Sequence, residues 1–229
     1  MKICGLNKTT LLDYPSHVAA TLFVCGCNFR CPFCHNKDLV LCSPQIEEIP
    51  MSEILSFLQK RKEILSGVCI TGGEPTLYPT LPMFIKTIKD LGYLVKLDTN
   101  GTNPEMIKAL LKEGLTDYIA MDIKSDRAHY AQAAGTCVNL SDIQSSIDLI
   151  RHAGISYEFR TTVVRELHSA EILAGIAQWL SGSEAWYLQN YRESEQVLMP
   201  GFSSYTKEEL EALLTQCDAH IGRTGIRGV

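Results

Sequence analysis

The stretch VAATLFVCGCNFRCPFCHN, residues 18–36, decides the fold and points to the chemistry. It opens as an apolar, β-rich run, Val18 to Val24, and then turns into a loop that holds three closely spaced cysteines. Cys27, Cys31 and Cys34 follow the pattern C-x3-C-x2-C, which is close enough for three thiolates to reach one metal centre. We therefore expect a strand that leads directly into a metal-binding loop.

Three cysteines leave one ligand position unfilled. A structural zinc site normally closes four ligands from two knuckles, and this sequence has no second knuckle. An iron–sulfur cluster also normally takes four cysteines, so three would leave one iron free for another ligand. A zinc knot that uses Cys25, Cys27, Cys31 and Cys34, with His35, stays open as the alternative. We interpret Cys25, which alternates with Cys27 at the strand end, as a buried apolar side chain.

Composition places the chain among ordinary globular proteins. It has 229 residues, 45% hydrophobic and 21% charged, so it can bury a core without disulfides. Its net charge of −5 gives no general attraction to nucleic acid or to an anionic membrane. The longest mostly apolar run, Val18 to Cys27, is too short to cross a bilayer and does not follow a signal-peptide pattern. We expect a cytoplasmic protein with no nucleic-acid or membrane partner.

Apolar β-rich segments alternate with amphipathic helical segments along the chain, which predicts an α/β fold around a largely parallel sheet. The predicted strands are Val18–Val24, Val68–Thr71, Tyr93–Asp98, Asp117–Asp122, Tyr157–Val163 and Ala185–Gln189. Six such units fit either an incomplete barrel or an open doubly wound sheet. We expect a single domain over 1–229, with a core at about 11–191 and a C-terminal helix and tail at 192–229.

Local signals mark the helix ends and the tail. Ser141 with Gln144, and Thr206 with Glu209, have the spacing of capping boxes. The segment 222–229 is rich in glycine and arginine, and we interpret it as a flexible terminus.

Polar and glycine-rich residues follow the strands. In both candidate architectures the ligand site forms at the carboxyl ends of the strands, so these residues belong to one rim. They are Gly72, Gly73 and Glu74 after the second strand, Asp98 and Asn100 at the third, Asp122 and Lys124 at the fourth, Arg160 and Thr162 on the fifth, and Gln189 at the sixth. Turn formation and an ordinary ion pair between Asp122 and Lys124 are the simpler interpretations.

These residues resemble the radical S-adenosylmethionine (SAM) superfamily, whose signature is C-x3-C-x-aromatic-C, with Phe33 in the aromatic place. The resemblance extends to the stretch 72–75, Gly-Gly-Glu-Pro, and to Asp98 and Asn100 in Leu-Asp-Thr-Asn-Gly. It implies a partial (β/α)6 barrel and a [4Fe–4S] cluster held by the three loop cysteines. The fourth iron of that cluster would bind SAM, whose reductive cleavage would give a 5′-deoxyadenosyl radical.

The resemblance also implies contacts to SAM. Gly72 and Gly73 would let the backbone approach the ligand, and Glu74 would place negative charge near its ammonium group. Asp98 and Asn100 would contact the ammonium or ribose. Lys124, beside Asp122, would contact the carboxylate. Arg160 and Thr162 would contact ribose or methionine.

The segments 12–15, Leu-Asp-Tyr-Pro, and 26–36 resemble the activating proteins of anaerobic ribonucleoside-triphosphate reductase. This likeness implies a glycyl-radical enzyme as protein substrate and a flavodoxin- or ferredoxin-type electron donor. Relatives usually have Gly where this chain has Ser16. No C-x2-C-x2-C-x3-C run occurs, which predicts a single cluster. A radical SAM enzyme acting on a small molecule or peptide, and a zinc-stabilised binding module, are the alternatives.

Overall fold

Eight strands form one sheet in their order along the chain, β1 to β8, in a computed structural model that describes residues 1–217 and 220–228. The strands are β1 Ile3–Thr10, β2 Ala19–Val24, β3 Gly67–Gly72, β4 Leu94–Thr99, β5 Tyr118–Asp122, β6 Ser156–Val163, β7 Ala185–Asn190 and β8 Arg223–Arg227. β1 is antiparallel to β2, and β2 to β8 run parallel. A doubly wound sheet reverses its strand order, whereas this one does not, so the fold is the partial barrel.

Helices connect the parallel strands and cover their outer face. They are α1 Lys37–Leu41, α2 Met51–Arg61, α3 Leu81–Asp90, α4 Pro104–Lys112, α5 Tyr130–Ala134, α6 Leu140–Arg151, α7 Ala170–Trp179 and α8 Lys207–Gln216, with a short 3-10 turn at Pro75–Leu77. In α3 the buried residues Leu81, Phe84, Ile85 and Ile88 recur every three to four positions, the spacing that places them on one face. The described residues contain no helix with the length and apolar character needed to span a bilayer.

All six predicted strands are present, and their ends shift by one residue at most. They are recognisable because strands covered on both sides read as short apolar runs. Two further strands lie outside the predicted core. β1 contains Gly5, Asn7 and Lys8, and its pairing with β2 is irregular, so it lacks that apolar signature.

The prediction of a flexible terminus is wrong for Arg223–Arg227, which form β8 beside β7. Arg227 donates two hydrogen bonds of 2.7 Å to the carboxylate of Glu158, a residue only 1% exposed. This ion pair, which joins residues far apart in sequence, anchors the strand. Val229, the last residue of the predicted tail, lies outside the described residues.

One of the two predicted capping boxes is wrong. The side chain of Asn139 caps α6 by accepting the N–H of Ser141 at 3.2 Å, so the helix begins at Leu140. Asparagine is among the strongest N-cap residues, and Asn139 takes the N-cap position two residues before Ser141. The second box is confirmed, with reciprocal hydrogen bonds between Thr206 and Glu209 at the start of α8.

Candidate active site

A cavity of about 320 Å³ lies at the carboxyl ends of the parallel strands. Every residue that the sequence predicts for the site lines it: Cys27, Cys31, Phe33, Cys34, Gly72, Gly73, Glu74, Asp98, Asn100, Asp122, Lys124, Arg160 and Thr162. Parallel strands end at the same edge of the sheet, which gathers residues from all parts of the chain. Their side chains also contact one another and the neighbouring backbone.

Burial favours the protonated form of two loop thiols, those of Cys27 and Cys31. Burial raises the pKa of Cys27 to about 11 and that of Cys31 to about 12. The Cys27 sulfur also accepts a hydrogen bond from the backbone N–H of Phe29 at 3.4 Å. Such thiols lose their protons readily only when a positive partner, such as a metal, takes the place of the proton.

The cysteine loop is fixed by backbone contacts on two sides. On one side Arg30 donates its N–H to the carbonyl of Ala134 at 2.9 Å, at the end of α5. A Cβ on the following residue, Gly135, would lie 2.1 Å from the carbonyl oxygen of Arg30, so only glycine fits there. On the other side Leu198 donates its N–H to the carbonyl of Cys34 at 2.9 Å. These contacts with the chain's own backbone fix the position of the loop.

Cys25 lies apart from the cavity. Its side chain is fully buried, and burial together with the neighbouring thiol of Cys4 raises its pKa to about 11. This placement agrees with its interpretation as a buried apolar side chain. That Cys25 is not a metal ligand stays a prediction.

The two glycines at the end of β3, Gly72 within the strand and Gly73 just after it, pack against the backbone that precedes the cysteine loop. Gly73 donates its N–H to the carbonyl of Val24, and Glu74 donates its N–H to that of Gly26, both at 2.8 Å. A Cβ on Gly73 would lie 1.9 Å from the Gly26 oxygen. Gly72 has a φ of +108°, which favours glycine as well. The Gly-Gly pair is thus required by backbone contact with the loop, besides leaving room for a ligand.

Glu74 has its carboxylate engaged by the chain itself. One oxygen accepts the Thr76 N–H at 3.0 Å and the Thr99 hydroxyl at 2.8 Å, and the other accepts the Asn100 N–H at 2.6 Å. Burial raises the pKa of Glu74, and these hydrogen bonds oppose that rise. Glu74 therefore holds the ends of β3 and β4 together, a contact that the sequence did not predict.

Charged side chains form a continuous network on the inner wall. Arg160 donates to Asp122 at 2.9 Å and to Asp98 at 3.1 Å, while Lys96 pairs with Asp98 and Lys124 lies 3.1 Å from Asp122. Burial alone would raise the pKa of both aspartates, but Arg160 and the lysines outweigh it and lower both, that of Asp122 to about 2. The ion pair between Asp122 and Lys124, which was the simpler interpretation of these two residues, is therefore present.

Asn100 contacts the cysteine loop. Its amide nitrogen donates to the side-chain oxygen of Asn28 at 2.8 Å and lies 3.9 Å from the sulfur of Cys27. Asn28 in turn donates to the hydroxyl of Thr102 at 2.9 Å. Sequence reasoning missed Asn28, although its place inside the cysteine loop was a usable signal.

Two further side chains were also missed. Asp13, which lines the cavity, accepts a hydrogen bond of 2.5 Å from Thr21. His168 is fully buried beside the cysteine loop, with its ring 5.8 Å from that of Phe33. Neither has a spacing that indicates a site, because each reaches it through the tertiary fold.

Comparison with known proteins gives consistent matches. The sequence profile described as the Radical SAM superfamily matches residues 21–174. A curated protein of Methanocaldococcus jannaschii, provisionally named as a glycyl-radical enzyme activating enzyme, is 31% identical over 201 residues, which cover 84% of this chain and 81% of that protein. A 7-carboxy-7-deazaguanine synthase of Thermoplasma acidophilum is 40% identical over 76 residues, 33% of this chain and 34% of the other.

A solved structure shares the fold. SuiB from Streptococcus suis, bound to S-adenosylmethionine, matches 91% of this chain with a TM-score of 0.69 at 16% identity. This chain spans about half of that protein, 52% of its length. At this level of identity the likeness concerns the architecture, and it confirms the partial barrel.

Proposed function

This chain belongs to the radical SAM superfamily, whose enzymes use a [4Fe–4S] cluster and SAM, and we propose that it activates a glycyl-radical enzyme. From the resemblance of residues 12–15 and 26–36, we propose that this enzyme is anaerobic ribonucleoside-triphosphate reductase, and that the chain removes one hydrogen of a glycine Cα from it. The observation that best supports glycyl-radical activation is the 31% identity to the M. jannaschii protein, because that match covers most of both chains. Membership of this enzyme family also decides against the non-catalytic zinc module.

The cavity residues fit the two cofactors. Cys27, Cys31 and Cys34 supply three sulfur donors from one short loop, and cysteine sulfur is the usual protein ligand of iron–sulfur clusters. In such a cluster each cysteine binds a different iron, so the sulfurs need not meet at one ion. Within residues 1–217 and 220–228, no three His, Cys, Asp or Glu side chains are gathered around a single ion position.

The chain itself contributes placement and the exclusion of water. When bound, the cofactors supply one-electron reduction of a sulfonium and abstraction of a hydrogen atom. Lys124, whose side chain is 14% exposed, is a cation at the cavity wall that would hold a carboxylate. Arg160 is fixed by Asp98 and Asp122, so its guanidinium keeps one orientation. These ion pairs preorganise the wall for a charged ligand.

We propose that the electron comes from another protein. The sequence has no C-x2-C-x2-C-x3-C run that would hold further clusters, so we propose a flavodoxin- or ferredoxin-type donor. We also propose that residues 1–229 act as one domain in this reaction, since β1 and β8 both join the sheet that carries the site.

One observation favours a second candidate, a radical SAM enzyme that acts on a small molecule. The identity to the T. acidophilum 7-carboxy-7-deazaguanine synthase is higher, at 40%. It covers only a third of each chain, however, and therefore carries less weight for the substrate than the longer match.

The test is direct detection of the product radical. The protein is reconstituted with iron and sulfide without oxygen, reduced with dithionite, and mixed with SAM and the anaerobic reductase of the same organism. We expect 5′-deoxyadenosine together with a glycyl-radical doublet in the EPR spectrum of the reductase. A reductase with alanine at the radical glycine, and a Cys34→Ala activase, are the matched controls. If SAM is cleaved but no radical forms on the reductase, the proposed substrate is wrong.

A further inference from the structure

His168 uses both ring nitrogens to hold backbone near the cavity. It lies between β6 and α7, where Nε2 is 2.8 Å from the carbonyl oxygen of Lys124, just after the end of β5. Nδ1 is 3.2 Å from the backbone nitrogen of Val164 and 3.3 Å from its oxygen. His168 thus links the segment after β6 to the segment after β5.

The partners assign the tautomer of this ring. A backbone N–H can only donate, so Nδ1 accepts from Val164, and a carbonyl oxygen can only accept, so Nε2 carries the proton toward Lys124. The neutral imidazole with its proton on Nε2 satisfies these two bonds, and the Val164 oxygen accepts the backbone N–H of His168 at 3.0 Å instead. Burial, which disfavours the charged ring, lowers the pKa of His168 and agrees with this form.

The same ring contacts the cysteine loop. The rings of His168 and Phe33 lie 5.8 Å apart at 74°, an edge-to-face contact that fixes the orientation of both. Phe33 lies between Cys31 and Cys34, in a turn closed by a backbone hydrogen bond. In this bond the N–H of Cys34 donates to the carbonyl of Cys31 at 3.1 Å. His168 therefore contacts the loop with its ring and the end of β5 with its Nε2–H.

We infer that His168 is a positioning residue that fixes the ammonium group of Lys124 relative to Cys31 and Cys34. A buried histidine that only fills the core needs no partner in the site, whereas this ring bonds the backbone of one cavity residue and packs on another. Since Lys124 is one of the cations that line the cavity, displacement of its backbone moves a charge that a bound carboxylate would meet. The inference rests on the cofactors of the family and is independent of the partner protein.

Two variants, each with an amide that replaces one ring nitrogen, separate the two hydrogen bonds. The amide of glutamine reaches the place of Nε2 and keeps the bond to Lys124, whereas that of asparagine reaches only the place of Nδ1 and keeps the bond to Val164. We expect His168→Asn to weaken SAM binding to the cluster-loaded protein about tenfold. A loss of this size is typical when a residue that hydrogen-bonds to a metal-binding group, and so orients it, is replaced. His168→Gln is expected to stay within about twofold of the unsubstituted protein.

SAM affinity is measured by equilibrium dialysis without any partner protein, together with the change that SAM produces in the EPR spectrum of the reduced cluster. Tyr205→Phe, which removes only a hydrogen bond of 2.8 Å to the backbone oxygen of His168, is the control and should bind SAM normally. Equal affinities for the Asn and Gln variants, or weaker binding by Gln, would overturn the inference. So would an Asn variant whose affinity and EPR response are unchanged.

Discussion

The buried carboxylate of Glu74 accepts a hydrogen bond of 2.6 Å from the backbone N–H of Asn100. The two residues follow β3 and β4, so this bond joins two strand ends at the rim of the cavity. Asn100 in turn reaches the cysteine loop through Asn28 at 2.8 Å. Glu74 thereby connects the Gly-Gly turn, the end of β4 and the loop.

Glu74→Gln should destabilise the protein by about 2 kcal/mol, because the new NH2 group would face N–H and O–H donors that need an acceptor. Urea unfolding of the metal-free protein measures the change. Glu63→Gln at an exposed position is the control, with no expected effect. Equal stability of the two variants would show that the Glu74 hydrogen bonds contribute nothing.

The ion pairs of Asp122 predict how the free energy of unfolding depends on pH in the acid range. Its pKa is lowered from 3.8 to about 2 in the folded protein, so its pairs stabilise the fold above the unfolded value and this contribution is lost as the pH falls through about 2. Asp122→Asn should therefore reduce the free energy of unfolding by about 2 kcal/mol near neutral pH, and by progressively less below about pH 4. The control is Asp90→Asn at an exposed position. If the free energy of unfolding of Asp122→Asn differed from that of the unsubstituted protein by the same amount at every pH, the lowered pKa of Asp122 would be contradicted.

Arg227→Met should leave the carboxylate of Glu158 buried without its partner. Removing one member of a buried pair is costly, and since Arg227 is 36% exposed we expect a loss of about 2 kcal/mol. Arg223→Met on the same strand changes an exposed residue and should have little effect. Equal unfolding midpoints for the two variants in urea would refute the role of the pair.

Ser16→Gly should stabilise the protein by about 1 kcal/mol, because Ser16 has a φ of +65°, a left-handed conformation that costs residues with a Cβ. Ser16→Ala keeps the Cβ and should give no gain. Thermal unfolding of the two variants compares them directly. An alanine variant as stable as the glycine variant would mean that backbone strain is absent.

The sequence predicted the strands and the residues that line the cavity because both depend on local pattern. Apolar runs mark the buried parallel strands, and the residues after them share one rim by geometry alone. The prediction that the tail is flexible failed because β8 is held by Arg227 on Glu158, a pairing that no local signal marks. The engagement of Glu74 by Thr99 and Asn100 is equally non-local.

The central claim is that Cys27, Cys31 and Cys34 hold a [4Fe–4S] cluster with one iron open to SAM. Its most direct test is the EPR spectrum of the reduced, reconstituted protein before and after SAM is added, with 5′-deoxyadenosine measured in parallel. We predict a changed spectrum and cleavage of SAM, both lost when any of the three cysteines becomes alanine and both kept in Cys25→Ala. A fully loaded cluster whose spectrum ignores SAM, or a Cys25→Ala variant as damaged as the others, would contradict the account.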